Sequence, residues 1–378
     1  MIVTGEASGD LHGANLVKAM QHKCNNLTFT GMGGSEMDKA GVDLLFDADK
    51  VSVVGIVEVF SRLPDILRGQ KILRKHMEVS PPDLLIIIDL PDFNLLIARK
   101  AKKLGIPVFY YISPQVWAWR TGRVKTIAKY VDTVGVILPF EENFFRKHGV
   151  IANYVGHPLL DSVTVAEDKQ TFYQRHNINP QSRCVGLLPG SRSREVSTLL
   201  PIFLAAAEKL QNRSSEKITF LIPLASTISE KQLFDSGVAN YTKDLDIRII
   251  HDDRYNLMAA CEAVVAASGT VTLELALLDV PMVVTYKFTP LTYHIGKMLI
   301  KMEHFSLVNL IAEKEIVPEL LQDEVQPDII ADWLFTLTSE NTKRVEMKEG
   351  LAHVRSRMGE KGASEKAADL ALKMLGEC

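Results

Sequence analysis

The chain has 378 residues, more than one hydrophobic core usually holds, so two domains are expected. A net charge of −3 leaves no general basic field, which excludes nucleic acid as the main partner. Cys24, Cys184, Cys261 and Cys378 form no CxxC pair and no zinc spacing; they read as reduced thiols in a cytosol.

Met1-Ile2-Val3 runs straight into Thr4-Gly5-Glu6, so no signal peptide is expected, and no window of 18 uninterrupted apolar residues offers a membrane span. The first half carries strand-length apolar runs at 84–88, 108–112 and 134–138. Helical patterns at 95–104 and 123–130 separate them. Continuous apolar strands between helices indicate a parallel sheet buried on both faces. The pattern then restarts, with strands at 185–188, 220–222, 247–250, 263–266 and 282–284. Helices at 201–211 and 271–278 lie among them, and a charged helical tail runs from Pro327. Two βα series give an α/β chain of two Rossmann-like domains, 1–157 and 158–340, followed by a helical segment 341–378.

Ligands of open α/β sheets bind at the carboxyl ends of the strands, so the residues just after each strand are the candidates. Gly5-Glu6-Ala7-Ser8-Gly9-Asp10 follows the first strand. It reads as a ligand loop, or equally as a tight turn with Ser8 or Asp10 as N-cap. Asp89 ends the most apolar strand; half desolvated there, a carboxylate becomes a useful general base. Asp92, after Pro91, reads as a helix cap. Trp117 and Trp119, beside Arg120 and Arg123, line an apolar pocket or pack in the core.

In the second half, Gly190-Ser191-Arg192 follows the first strand. It gives a close-approach glycine and a phosphate-pairing arginine, or a charged surface loop. Ser268-Gly269-Thr270 opens a helix, where free N–H groups attract phosphate, and Glu274 lies on the same face one turn on. Taken alone, that segment reads better as a Ser/Thr cap followed by a surface glutamate. No DxD pair ends a strand in this half, so neither metal nor other cofactor is expected.

Together these segments resemble the lipid-A-disaccharide synthase family of GT-B glycosyltransferases. The matching stretches are GEASGD (5–10), GIVEV (55–59), IDLPDFN (88–94), ISPQVWAWR (112–120), LPFE (138–141), GHPLLD (156–161), LPGSR (188–192), SGTVTLE (268–274) and VPELLQ (317–322), in the family's order. The resemblance implies two parallel sheets facing a central cleft, with C-terminal helices returning to the N-terminal domain. It implies inverting transfer from UDP-2,3-diacylglucosamine to the 6-hydroxyl of 2,3-diacylglucosamine 1-phosphate. Asp89 would be the base, and Arg192 would handle the donor with Gly190, Ser191, Ser268, Gly269, Thr270 and Glu274. Gly5, Glu6, Ser8, Gly9, Asp10, Trp117 and Asn309 would lie on the acceptor side of the cleft. Val308 stands where the family usually has proline, as does Ser35 after Gly33-Gly34. A homodimer through C-terminal elements is compatible with the resemblance.

Acylated substrates call for a membrane-facing surface, here the inner face of the inner membrane of a Gram-negative cell. Residues 54–78 interleave Ile56, Val59, Phe60, Leu63, Ile66 and Leu67 with Arg62, Arg68, Lys71, Arg74 and Lys75. Residues 286–305 do the same with Tyr286, Phe288, Tyr293, Ile295, Met298 and Leu299 beside Lys287, Lys297 and Lys301. Both segments also read as amphipathic helices packed on the core. Competing functions are a UDP-sugar 2-epimerase, a transferase acting on another lipid-linked acceptor, and a non-catalytic nucleotide-sugar binder.

Overall fold

The computed structural model describes residues 1–51, 56–117, 122–251, 253–288 and 303–376. The chain divides into two units, Met1–Asp161 with Gly359–Cys378, and Ser162–Met358.

The first unit is a seven-stranded sheet of β1 (Ile2–Val3), β2 (Phe29–Gly33), β3 (Val42–Asp47), β4 (Leu85–Ile88), β5 (Val108–Tyr111), β6 (Thr133–Val136) and β7 (Ala152–Tyr154). The order is β3-β2-β1-β4-β5-β6-β7, and every pairing is parallel. Side chains alternate across a strand, so an unbroken apolar run serves two cores. Leu85, Ile87, Val108 and Tyr110 join one core; Ile86, Ile88, Phe109 and Tyr111 join the other.

Helix Ala363–Leu375 completes the second of these cores, burying Ala367, Ala368, Ala371 and Leu372 beside Leu16 and Met20 of helix Ala7–Lys23. Its N-cap is Gly362, which has no side chain to receive the first free N–H groups. Asp161 supplies that cap from a distance, accepting from Gly362 N at 2.8 Å and Ala363 N at 3.2 Å.

The second unit is a six-stranded sheet of β8 (Arg183–Leu188), β9 (Ile218–Pro223), β10 (Asp246–Ile250), β11 (Ala263–Ala267), β12 (Met282–Tyr286) and β13 (Glu319–Leu321). Its order is β10-β9-β8-β11-β12-β13, again all parallel.

Three sequence expectations need correction. The first boundary falls at 161 rather than 157, because Asp161 is tied to the C-terminal helix of its own unit. The tail does not separate at 340: helix Asn341–Met358 stays with the second unit, where Arg355 pairs with Asp279 at 3.0 Å and donates to Ala276 O at 3.2 Å. The helix expected from Pro201 starts at Ser193, with Pro201 inside it. Its charged, exposed first turn hides the apolar period that Val196, Leu199, Leu200 and Phe203 carry.

Each sheet has one place where the strand order reverses: between β1 and β4, and between β8 and β11. Loops leaving the carboxyl ends of two such strands part in opposite directions and leave a crevice. Thr4-Gly5-Glu6 and Asp89-Leu90 leave the first switch point; Pro189–Arg192 and Ser268–Thr270 leave the second.

Candidate active site

Asp89 follows β4 with φ of 50°, and Leu90 follows with φ of 38°. Left-handed backbone at a non-glycine residue costs on the order of 1–3 kcal/mol and persists where surrounding bonds hold it. Asn94, fully buried in helix Pro91–Lys103, donates from Nδ2 to Ile88 O at 2.8 Å and Asp89 O at 3.0 Å. The Tyr110 hydroxyl donates to Asp89 O at 2.8 Å. Three hydrogen bonds thus clamp the main chain that aims the carboxylate.

The carboxylate itself accepts from Gly5 N at 3.1 Å and from Thr4 Oγ1 at 3.4 Å. Burial pushes its pKa up to about 8 and the Glu6 carboxylate adds to the rise, while these donors pull it back. Near pH 8 such a group exists in both protonation states, as a general base requires. Gly9 lies against it: a Cβ there would fall under 3.0 Å from Asp89 Oδ2 and Thr4 Oγ1.

Of the other loop residues, Glu6 and Ser8 are exposed. Neither Ser8 nor Asp10 is the N-cap of helix Ala7–Lys23; Glu6 holds that position without a side-chain bond. Asp10 is buried and accepts from Gly34 N at 2.7 Å, Glu36 N at 2.9 Å and Met37 N at 3.2 Å, so it caps helix Ser35–Lys39 instead of facing a ligand. Asp92 is exposed and pairs with Arg123.

Trp117 follows β5, the neighbour of β4. Its indole Nε1 donates to the buried Glu141 at 2.9 Å and its ring meets Phe140 edge-on. Trp119 and Arg120 lie outside the described residues. Two histidines of the first unit are largely buried and electrostatically coupled. Burial lowers His12 to about 4 and His157 to about 3, and the charge of His12 adds to the lowering at His157. Leu159 N donates to His157 Nδ1 at 3.1 Å, so neutral His157 carries its proton on Nε2.

In the second unit β8 pairs with β11 up to Leu188 and Ala266, so the two candidate loops leave the sheet side by side. Gly190 has φ of 105°, a conformation suited to glycine, with Glu195 packed where a Cβ would point. Arg192 is largely exposed and pairs with Glu195 at 3.1 Å. Both act on the half-buried Tyr286 hydroxyl at the end of β12, whose pKa is raised by burial first and then by Glu195, and lowered by Arg192. Since β11 lies between β8 and β12, this group converges over the end from which Ser268–Thr270 emerges. Gly269 and Thr270 are exposed, and among the described residues nothing stands within 4 Å of a Cβ on Gly269. Glu274 is no surface glutamate: it is 6% exposed and pairs with the half-exposed Arg254 at 3.1 Å. Burial raises its pKa and Arg254 offsets part of the rise.

Asn309 lies in helix Leu307–Ala312 of the second unit. It is fully buried, its Nδ2 donates to Val317 O at 2.9 Å, and its Oδ1 accepts from Ile316 N at 2.7 Å and Val317 N at 3.1 Å. It staples the 316–317 segment that leads into β13, and its amide is turned inward on that segment.

Gly190→Ala should raise the KM for a nucleotide-sugar donor by about tenfold and lower stability by about 1–3 kcal/mol, the usual cost of forcing a side chain into such backbone. Donor kinetics and urea melts check it; an unchanged KM would place the donor elsewhere.

Two all-parallel α/β units, each with one switch point, give the chain the GT-B fold. It has the fold of MurG from Acinetobacter baumannii (TM-score 0.60, 14% identity, 99% of this chain and 98% of that one). A UDP-GlcNAc 2-epimerase from Neisseria meningitidis shares that fold (TM-score 0.60, 12% identity, 99% and 98%), so architecture alone does not separate transferase from epimerase. Sequence does: the family model described as lipid-A-disaccharide synthetase matches residues 1–374. The lipid-A-disaccharide synthase of Geobacter sulfurreducens is 44% identical over 377 residues, covering 100% of this chain and 97% of that protein. The chain belongs to the lipid-A-disaccharide synthetase family.

Proposed function

We propose that the chain joins two acylated glucosamines, transferring 2,3-diacylglucosamine from its UDP derivative to the 6-hydroxyl of 2,3-diacylglucosamine 1-phosphate. The observation that carries this reading is Asp89, a carboxylate clamped at a switch point and raised to about 8 in a chain of this family. Asp89 takes the O6 proton as the O6 lone pair attacks C1 of the donor sugar. The C1–O bond breaks, UDP leaves with the electron pair, and the anomeric centre inverts to β. Arg192 and the N–H groups at Gly190–Ser191 and Gly269–Thr270 offset charge on the departing diphosphate. Glu274, paired with Arg254, accepts from a ribose hydroxyl.

The test follows UDP and disaccharide with both substrates present. UDP should appear only with acceptor. Conversion of the UDP-sugar to an epimer without acceptor would sink the transferase reading.

A membrane-surface role is the finer part of this proposal. No helix among the described residues is long and apolar enough to cross a membrane. On helix Ile56–Val79, Leu63 is 44% and Leu67 61% exposed, with Arg62, Arg68, Lys71 and Lys75 exposed around them. Apolar side chains ringed by cations suit an anionic bilayer surface. The side chains of 56–61 and the segment 289–302 lie outside the described residues. The protein should co-sediment with phosphatidylglycerol vesicles at low salt, and Leu67→Glu should weaken that by about tenfold or more. Equal binding by wild type and variant would remove this helix from the contact.

A further inference from the structure

Glu141 starts helix Glu141–Lys147 and is 1% exposed, a burial that ionisable side chains accept only with partners. Its partners are all donors. Oε1 accepts from Trp117 Nε1 at 2.9 Å, and Oε2 accepts from Leu138 N at 3.0 Å. The N–H of Ile137 adds a further bond. One side of the carboxylate thus holds the stretch after β6, and the other holds the indole in the loop after β5. That second loop begins with Ile112 in left-handed backbone at φ of 54° and continues through the buried Ser113 and Val116. Phe140, the residue before Glu141, packs edge-on against the same indole at 4.9 Å between ring centres. The ring is therefore fixed by a hydrogen bond at its nitrogen and by an aromatic contact, both supplied by residues 140 and 141.

We propose that Glu141 is a positioning residue for the acceptor sugar, acting by locking the Trp117 indole in the loop after β5, the strand next to the one that ends at Asp89. This rests on the transferase reading above. A carboxylate is required because both oxygens must accept. A glutamine in its place would have to turn its NH₂ toward either the indole N–H or the backbone N–H of Leu138, donor against donor. The backbone is anchored in the β6–helix connection, so the side chain gives way and the indole loses its hold. An aspartate would keep two acceptor oxygens but retract them by one methylene.

The experiment compares wild type, Glu141→Gln, Trp117→Phe and the double variant in full-length protein. Trp117→Phe keeps an aromatic ring but removes the N–H. Each single variant should raise the acceptor KM by about 5–30-fold, with donor KM and saturated kcat within about twofold. The double variant should match Trp117→Phe, because the group that the glutamine clashes with is gone. A second readout needs no turnover: the indole ¹⁵N–¹H signals of Trp117, Trp119 and Trp333, assigned by single Trp→Phe changes. The Trp117 signal should move upfield in Glu141→Gln while Trp333 stays. An unchanged acceptor KM, additive effects in the double variant, or an unmoved Trp117 signal each overturn the proposal. If Glu141→Gln does not fold, Trp117→Phe alone decides, since an unchanged acceptor KM there removes the indole N–H from any such role. Failure of the transferase reading itself is seen separately, as a wild-type protein that makes no disaccharide.

Discussion

Asp89→Asn should lower turnover by about 10²–10⁴-fold, the range a general base supplies, while leaving donor affinity nearly unchanged. The substitution preserves the local bonds: the amide oxygen can accept from Gly5 N, and the amide nitrogen can donate to a reoriented Thr4 hydroxyl. It removes only the charge. A stability change of definite sign accompanies it. The carboxyl rises from 3.8 to about 8 on folding, so the folded chain binds this proton more tightly than the unfolded one. The stabilisation is complete below about pH 4 and is lost as pH rises through about 8. The amide carries no such loss. The variant should therefore gain stability relative to wild type between pH 5 and pH 8, measured by urea melts at each pH. Wild-type kcat/KM should climb toward a plateau above pH 8. A variant with full activity, or a wild-type profile flat from pH 6 to 9, would reject Asp89 as the base. Asp92→Ala is the companion measurement: Asp92 is exposed and pairs with Arg123 at the surface, so a comparable loss there would point away from Asp89.

Gly9→Ala should be nearly as damaging although it adds one methyl group. The new Cβ would collide with the Asp89 carboxylate and the Thr4 hydroxyl together. The backbone of Asp89 is clamped by Asn94 and Tyr110, so the give must come from the carboxylate or from helix Ala7–Lys23. Misplacing a catalytic group by about 1 Å costs on the order of 10²-fold, and overpacking a filled site costs about 1–3 kcal/mol. Steady-state kinetics with thermal melts test both. Gly122→Ala, where a Cβ meets nothing within 4 Å among the described residues, should match wild type. Activity within threefold of wild type in Gly9→Ala would show that the loop has room the geometry denies.

The parts of this architecture that are legible in the sequence are those where one residue's neighbours along the chain decide its environment. Leu85–Ile88 and Val108–Tyr111 are apolar at every position because both faces of the sheet are covered, and their carboxyl ends point directly to Asp89 and the Trp117 loop. The 263–267 strand points in the same way to Ser268–Thr270. Functions set by partners distant in sequence are not legible. Asp10 looks like a loop ligand until Gly34, Glu36 and Met37 are seen to surround it. Nothing near Asn309 in the chain announces that its amide ties down 316–317. Glu274 alone looks like an exposed glutamate, and only Arg254 twenty residues earlier explains a buried charge. His157 and Glu141 fall within matching motifs, but nothing adjacent in the chain reveals that they are buried. β2, β3, β7 and β13 escape notice because their residues are mixed in polarity or few in number.

The return of helix Ala363–Leu375 has a consequence for biosynthesis. The Ile2, Ile86 and Ile88 face of the first sheet is covered partly by residues that leave the ribosome after the whole of the second unit. The second unit, Ser162–Met358, is contiguous and has its whole sequence available earlier, so the unit that holds Met1–Asp161 is the later one to complete its core. Until then its apolar sheet face is a surface for chaperones, and Asp161 waits with its two acceptor oxygens for a helix not yet made.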